Sequence, residues 1–361
     1  MPSRIKVAIV GSVGLPANYG GFETMVYYLT KEQNPNIEYT VYCEAAKKRN
    51  RLSSFHNAKL VYLPFKANGV QSIPYDIVSL FLSWKRFDII IILGTPGCFI
   101  LPFLNLFGKS KTVVNFGGLE WRRDKWGKLG KAYLKWTEKI ALNNCSVIVA
   151  DNQFFCDYIK KTYNKKSVLI EYGGDHTTNR ECSREILDKY PYLNMEYDVS
   201  VSRAQEDNNL HLILEAYKQT PNRRLVLISN YNKFSYGRLL KDTYQDVPNI
   251  IMQDAVYDLE ELDTIRSNAN LYIHSHSFCG TAPSLVEAMN LALPIVAFDV
   301  PANRFTTESK ALYFKDVEDL KRVLNSLNEK QIVSNSEQMK EIAIRRYSWA
   351  AIREKYSKLL G

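Results

Sequence analysis

The sequence predicts an α/β protein made of two Rossmann-like, doubly wound domains facing across a cleft, with a last helix packing back on the first domain. Three observations carry this reading. Short, near-continuously apolar runs rich in β-branched residues recur along the 361 residues and alternate with helical patterns, as parallel strands covered on both faces do. Glycine-rich loops follow several of these runs and open into helices. A polar, glycine-rich piece, Gly173-Gly174-Asp175-His176-Thr177-Thr178-Asn179, separates the runs into two series and reads as a domain boundary.

The first series places strands at 7–10, 39–43, 59–63, 88–93, 112–115, 146–150 and 168–170. The second places them at 199–202, 224–229, 249–252, 271–274, 295–298 and 311–314. The expected domains are therefore 1–172 and 173–340, followed by a crossing segment 341–361. Residues 337–360 read as one amphipathic helix, with Ile342, Tyr347, Trp349, Ile352, Tyr356 and Leu359 on its apolar stripe. No internal repeat or low-complexity tract interrupts the pattern.

Composition excludes several classes. A hydrophobic content of 46% rules out disorder as the main theme. Six cysteines lie scattered without a C-x-x-C pair or a histidine at metal-ligand spacing, and the chain opens directly on the strand-like Arg4-Ile5-Lys6-Val7-Ala8-Ile9-Val10, so a reduced, cytoplasmic protein is expected. The most apolar run, 98–107, falls short of the roughly 18 to 20 residues that span a bilayer and contains Pro102 and Asn105.

Charge is unevenly divided. Residues 1–172 hold 24 Lys+Arg against 12 Asp+Glu, and the remainder 23 against 26, within a total of +9. Lys47-Lys48-Arg49-Asn50-Arg51 and Arg122-Arg123-Asp124-Lys125-Trp126-Gly127-Lys128 stand near Trp84-Lys85-Arg86-Phe87 and the apolar 99–107. Basic residues mixed with aromatic and aliphatic ones suit an anionic bilayer surface; the plain alternative is a solvated face. No nucleic-acid motif is present, and nucleic acid is not an expected partner.

Four loops could carry chemistry. After the first strand comes Gly11-Ser12-Val13-Gly14-Leu15-Pro16-Ala17-Asn18-Tyr19-Gly20-Gly21-Phe22-Glu23. Its spacing is not the G-x-G-x-x-G of a dinucleotide site, but Gly20-Gly21 before a helix lets backbone N–H groups approach an anion. Glu23 is expected to face the cleft. The strand ending at Asn115 leads into Phe116-Gly117-Gly118-Leu119-Glu120-Trp121-Arg122-Arg123, where a carboxylate, an indole and two guanidinium groups could position a polar acceptor. In the second domain, Arg203 at a strand end could hold a diphosphate, or serve an ion pair, ahead of Glu206-Asp207-Asn208-Asn209.

The fourth loop is the most informative. His274-Ser275-His276-Ser277-Phe278-Cys279-Gly280-Thr281-Ala282-Pro283-Ser284 ends a strand and starts a helix on which Glu287 is the single acidic residue. Glycine and threonine N–H groups there suit phosphate, and a carboxylate near the first turn suits the vicinal hydroxyls of a ribose. A buried structural glutamate is the alternative.

At these residues the chain resembles the GT-B glycosyltransferases of family 4, in the subgroup of bacterial rhamnosyltransferases with a DUF1972-type N-terminal domain. The resemblance rests on four blocks, 7–23 with its G-x-x-G-x-P-A-x-Y-G-G-F-E pattern, 118–126, 201–210 and 274–297, and spans nearly the whole chain. It implies a retaining hexosyltransferase that needs no metal or other cofactor. It assigns Gly20, Gly21, Arg203, Asn208, His276, Gly280, Thr281, Ser284 and Glu287 to the nucleotide-sugar, and Asn18, Tyr19, Trp121 and Arg122 to the acceptor. Glu120 and Glu23 are the expected catalytic carboxylates. The implied donor is dTDP-rhamnose, and the implied acceptor is a polyprenyl-pyrophosphate-linked saccharide of a cell-surface polysaccharide, at the inner face of the plasma membrane.

The chain departs from the family pattern at three places. Cys279 stands where many members have the first of two glutamates, no lysine follows Arg203 at the usual position, and Gly117 replaces the aspartate of Asp-Gly-Leu-Glu-Trp. These leave two other readings open: a catalytically silent binding protein of the same fold, and a nicotinamide-dependent oxidoreductase using Glu44 after the second strand, against which the absent G-x-G-x-x-G counts.

Overall fold

A computed structural model describes residues 4–16, 20–44, 51–123 and 126–361. Asn18 and Tyr19, expected at the acceptor, lie outside the described residues, as do 47–50 of the first basic run. The chain forms two compact units, the first of Met1–Glu171 with Trp349–Gly361, the second of Tyr172–Ser348.

The first unit holds a sheet of eight strands: β1 (Ile5–Val10), β2 (Ile37–Cys43), β3 (Ser54–Phe55), β4 (Ala58–Tyr62), β5 (Ile89–Leu93), β6 (Lys111–Asn115), β7 (Val147–Ala150) and β8 (Val168–Leu169). The second holds six: β9 (Asp198–Val201), β10 (Leu225–Ser229), β11 (Ile250–Asp254), β12 (Tyr272–His274), β13 (Ile295–Phe298) and β14 (Leu312–Phe314). Every run singled out in the sequence contributes a strand. All pairings are parallel except that of β3 with β4. The two-residue β3 is too short to leave a periodic signal.

Burial explains the pattern. Ile89-Ile90-Ile91-Ile92-Leu93 is buried at every position, because a central parallel strand meets helices on both faces. Strand order then fixes where ligands can sit. In the first sheet, β3-β4-β2-β1-β5-β6-β7-β8, the chain winds one way from β1 and the other way from β5; in the second, β11-β10-β9-β12-β13-β14, it reverses between β9 and β12. At each reversal two neighbouring strands send their following loops to opposite faces, opening a crevice at their carboxyl ends.

The tail differs from expectation. Residues 337–360 form two helices, Glu329–Arg346 and Trp349–Leu360, and only the second belongs to the first unit. The Tyr347 carbonyl, which a continuing helix would need, instead accepts the N–H of Gly174 at 2.7 Å, and the Tyr347 hydroxyl donates to the carbonyl of Thr306 at 2.7 Å. The apolar period runs across the break, which is why sequence hides it. The final helix buries Trp349, Ile352 and Tyr356. Trp349 stacks on Tyr28 with ring centroids 4.7 Å apart, and the Asn115 amide donates to the Tyr356 hydroxyl at 2.9 Å.

Candidate functional site

In the second unit the crevice between β9 and β12 is built from two loops tied together. The Ser202 hydroxyl lies 2.8 Å from His276 Nε2, and the Asn209 amide donates to the Ser275 carbonyl at 3.0 Å. Ser275 donates to the Asn208 carbonyl, and Ser277 donates to the Asp207 carbonyl through both its N–H, at 3.1 Å, and its hydroxyl, at 2.8 Å. Asn208, buried, folds back so that its amide donates to the Arg203 carbonyl at 2.8 Å. Asn208 therefore shapes the turn that presents Arg203. The Arg203 side chain itself is exposed and makes no hydrogen bond or ion pair among the described residues.

The loop after β12 ends in the helix Pro283–Asn290, whose cap residue Ala282 gives no side-chain hydrogen bond. Pro283 has no N–H and the Leu285 N–H already bonds the Ala282 carbonyl at 3.1 Å, so the Ser284 N–H is what this helix start leaves to an outside acceptor, with Gly280 and Thr281 buried immediately before it. Ser284 sits in the first turn, directly after Pro283.

Glu287 is the fifth residue of the helix, a turn deeper than expected from sequence. It is also not a solitary charge. Its Oε2 accepts from Arg266 Nη1 at 2.5 Å and its Oε1 lies 3.2 Å from His176 Nε2. Arg266, 1% exposed, donates its other arm to Asp263 at 2.6 Å, and Asp263 accepts the Thr178 N–H at 3.0 Å. Burial pushes the Glu287 carboxyl up, but Arg266 and His176 outweigh it and hold the group down at about 2. Glu287 is thus a buried, ion-paired carboxylate with lone pairs to spare, which fits both the ribose reading and its structural alternative.

The boundary piece is part of this assembly. A Cβ on Gly174 would lie 2.6 Å from the Val286 carbonyl oxygen, so only glycine lets the segment press on the helix, and the Asn290 amide donates to the Thr177 carbonyl at 3.1 Å. Sequence reasoning missed Arg266 and the partnership with His176. The available signal was Asp263-x-x-Arg266, an i,i+3 ion pair placed just before a buried strand.

Near the crevice, His274, His276 and Cys279 bring ligand atoms within 4.8 Å of one another, a donor set able to hold a soft divalent ion. Burial pushes the His274 imidazole down to about 3, keeping it neutral. Cys279, at the position of the family glutamate, faces His274 at 3.8 Å and Asn303 at 3.9 Å.

In the first unit the crevice lies between β1 and β5. Gly11 has φ +92°, and a Cβ there would meet the Leu93 carbonyl oxygen at 2.4 Å, so the loop after β1 crosses tightly over the end of β5. Glu23, expected to point outward, is 8% exposed and turned onto its own loop, where its Oε1 accepts the Val13 N–H at 2.8 Å. A Cβ on Gly20 would collide with the other oxygen at 2.1 Å. Burial raises this carboxyl, partly offset by the Val13 and Glu23 N–H groups. The structure therefore gives Glu23 the work of tying Val13 to the helix Gly21–Lys31.

Gly94-Thr95-Pro96-Gly97, which the sequence reading passed over, forms the β5 side. Buried Asp76 accepts the Gly97 N–H at 3.2 Å, and Tyr133 donates to the Pro96 carbonyl at 2.8 Å. Burial, only partly offset by the Gly97 N–H, pushes Asp76 up to about 7.

Glu120, Trp121 and Arg122 follow β6, separated in the sheet from β1 by β5. The two expected catalytic carboxylates therefore rise from different loops, each bonded within its own. Glu120 pairs with Arg123 at 2.9 Å and accepts from the Trp126 indole at 3.3 Å. The Trp121 ring meets two cations, Arg122 at 5.2 Å and Lys135 at 4.7 Å from its centroid. Gly117, with φ +65°, leaves room for the Phe22 ring, which a Cβ would approach to 2.6 Å. That contact explains why this chain places no side chain at the position of the family aspartate.

Two sheets of this topology, each with its crevice at a strand-order reversal, meet a decisive comparison: residues 185–346 match the family described as glycosyl transferases group 1, and residues 4–175 match a domain of unknown function, DUF1972. The chain carries a group 1 glycosyltransferase domain on the GT-B fold. The whole chain also superposes on solved members of that fold. The sucrose-phosphate synthase of Thermosynechococcus elongatus matches with TM-score 0.80 at 16% identity, covering 99% of this chain and 98% of that one. HepE of Anabaena, solved with UDP-glucose, matches with TM-score 0.78 at 13% identity and 99% coverage of both. A trehalose-6-phosphate protein of E. coli, solved with UDP-2-fluoro glucose, gives 0.74 at 10% identity, covering 98% of both. At these identities the likeness concerns the fold. No curated protein sequence matches the chain. Among the described residues no helix is long and apolar enough to cross a membrane.

Proposed function

We propose that this glycosyltransferase takes a hexosyl group from a nucleotide-diphosphate sugar held in the second unit, with retention of configuration, and transfers it to a saccharide carried on polyprenyl diphosphate. The observation that carries this is the uncapped start of the helix Pro283–Asn290, with Gly280 and Thr281 before it and an ionised Glu287 one turn inside. The Ser284 N–H at the helix start, with Gly280 and Thr281 before it, takes the diphosphate, Glu287 accepts hydrogen bonds from ribose hydroxyls, and the exposed Arg203 adds a cation from the neighbouring loop. His276, Asn208 and Ser284 shape and line this site.

Backbone N–H groups and Arg203 stabilise the charge that grows on the departing diphosphate, and a leaving phosphate oxygen takes the acceptor hydroxyl proton. This division of labour needs no metal, and it leaves Glu120 the role of orienting the acceptor together with Trp121 and Arg122. Gly20 and Gly21, at the start of the helix Gly21–Lys31, belong to the donor-binding residues of this reading through their backbone N–H groups. The preferred donor is dTDP-rhamnose, in keeping with the G-x-x-G-x-P-A-x-Y-G-G-F-E opening, and the product belongs to cell-surface polysaccharide. The net positive first 172 residues suit an acceptor bearing a diphosphate at the inner face of the plasma membrane.

A thermal-shift series over dTDP-rhamnose, UDP-glucose and other nucleotide-sugars tests the reading, because a ligand that binds only the folded state raises its stability by mass action. Selective stabilisation by dTDP-rhamnose, followed by EDTA-resistant transfer to a lipid-linked acceptor, is expected. Binding of nucleotide without any transfer would leave the silent binding protein as the better account.

A further inference from the structure

We infer that the short helix Leu101–Phe107, with the flanking ends of the helices Ser72–Ser83 and Lys128–Asn144, is an insertion surface for an anionic lipid bilayer. This deepens the membrane-borne acceptor reading and rests on it for its purpose, while the surface itself is read from the first unit alone.

Apolar side chains point outward here in an unusual concentration. Leu106 is 77% exposed, Leu129 89%, and Phe81, Phe103, Phe107 and Trp136 each half or more. The aromatic ones fall into two ring clusters. Phe81 lies 6.2 Å from Trp84, Trp84 6.4 Å from Phe107, and Phe107 5.1 Å from Phe103. On the other side Phe99 stacks with Trp136 at 6.0 Å. The Asn105 amide, donating to the Asn144 carbonyl at 2.6 Å, fastens the short helix to the end of Lys128–Asn144. A contiguous exposed apolar face of this kind in a folded chain marks an interaction site.

Charge selects the occupant. Along Lys128–Asn144, Lys128, Lys131, Lys135 and Lys139 recur at helical spacing beside a second stripe, Leu129, Ala132 and Trp136. Lys85 lies over the Trp84 ring at 4.5 Å. From residue 98 to 144 the described acidic side chains are Glu120, paired with Arg123, and Glu138, buried beneath Tyr158 and Tyr163. An aromatic and aliphatic face edged by lysines matches the interfacial zone of a bilayer, where rings and alkyl chains enter the acyl boundary and ammonium groups meet lipid phosphates. The helix Leu101–Phe107 also begins four residues after Gly97, in the loop that follows β5, so a bilayer bound there places lipid headgroups beside the first unit's crevice.

Co-sedimentation of the full chain with phosphatidylcholine vesicles, with and without phosphatidylglycerol, tests this. The wild type is expected to pellet with the anionic vesicles and to be released by high salt. Phe103→Ser/Leu106→Ser and, separately, Lys128→Gln/Lys139→Gln are expected to weaken partitioning by about tenfold or more, with unchanged unfolding midpoints and unchanged nucleotide binding. Wild-type protein that stays in solution with anionic vesicles overturns the inference, as do variants that bind as the wild type does. A wild type that is dimeric without lipid and made monomeric by Phe103→Ser/Leu106→Ser, again without vesicle binding, overturns it in favour of a second copy of this chain. Vesicles need carry no sugar, so vesicle binding without transfer leaves this surface standing and counts only against the proposed reaction.

Discussion

The two crevices share a topology and differ in how they keep a carboxylate out of water. In the first unit Asp76 and Glu23 are buried against backbone N–H groups with no cation bonded to them, and both are pushed up. In the second, Glu287 is buried against Arg266 and His176 and held at about 2. One crevice therefore holds carboxyls that burial pushes up, and the other an ion-paired array of charge. The difference teaches that burial alone favours the protonated acid, whereas cations bonded to the carboxylate outweigh burial and reverse the shift.

The largest test of the contrast is Arg266→Met. Removing the cation leaves Glu287 and Asp263 buried without it, and the second unit is expected to lose about 3 to 5 kcal/mol, read from chemical unfolding. A loss below about 1 kcal/mol would mean that water already shields the pair. Next comes pH. Asp76 holds its proton up to about 7 in the folded chain, while the unfolded chain releases it near the ordinary 3.8. Folding thus retains a proton across that window, and stability falls as pH rises through it, by on the order of a few kcal/mol. Asp76→Asn is expected to flatten this slope. Glu287 acts in the opposite sense, its contribution being present above the ordinary carboxylate value and lost as pH falls towards about 2.

Glu287→Ala is expected to weaken nucleotide binding by about 1 to 3 kcal/mol, the cost of stranding ribose hydroxyls. Calorimetry checks it, and unchanged affinity assigns Glu287 to the ion-pair network alone. The smallest effect belongs to the exposed pair of Lys59 and Glu38 in the first unit: Lys59→Ala is expected to change stability by no more than about 0.5 kcal/mol, since solvent screens the charges. A larger loss would show that the first unit depends on ion pairs after all.

The strands and their division into two sheets were legible because buried parallel strands write themselves as apolar runs, and the loops that follow them as glycines. Glu287 was legible as a polar residue in an apolar helix. Its partners were not, since Arg266 lies 21 residues away and His176 more than a hundred, and nothing local announces that their side chains meet. Glu23 misled for the same reason: its N–H partner, Val13, sits ten residues back on a loop whose turn is invisible in sequence. The break at Tyr347 depends on a hydrogen bond from Gly174, across the length of the second unit's sequence.

The final helix has a consequence for the order of events during synthesis. Asn115 and Met25 belong to the first unit's interior, yet their partner Tyr356 follows the entire segment Tyr172–Ser348. At ribosomal speeds of roughly 5 to 20 residues per second, that segment takes about 10 to 35 s to emerge. For that interval the earlier half waits with an apolar seam uncovered, while the later half can already close on itself. The nascent chain thus finishes last the part it began first, and that seam is the natural place for a chaperone to hold it.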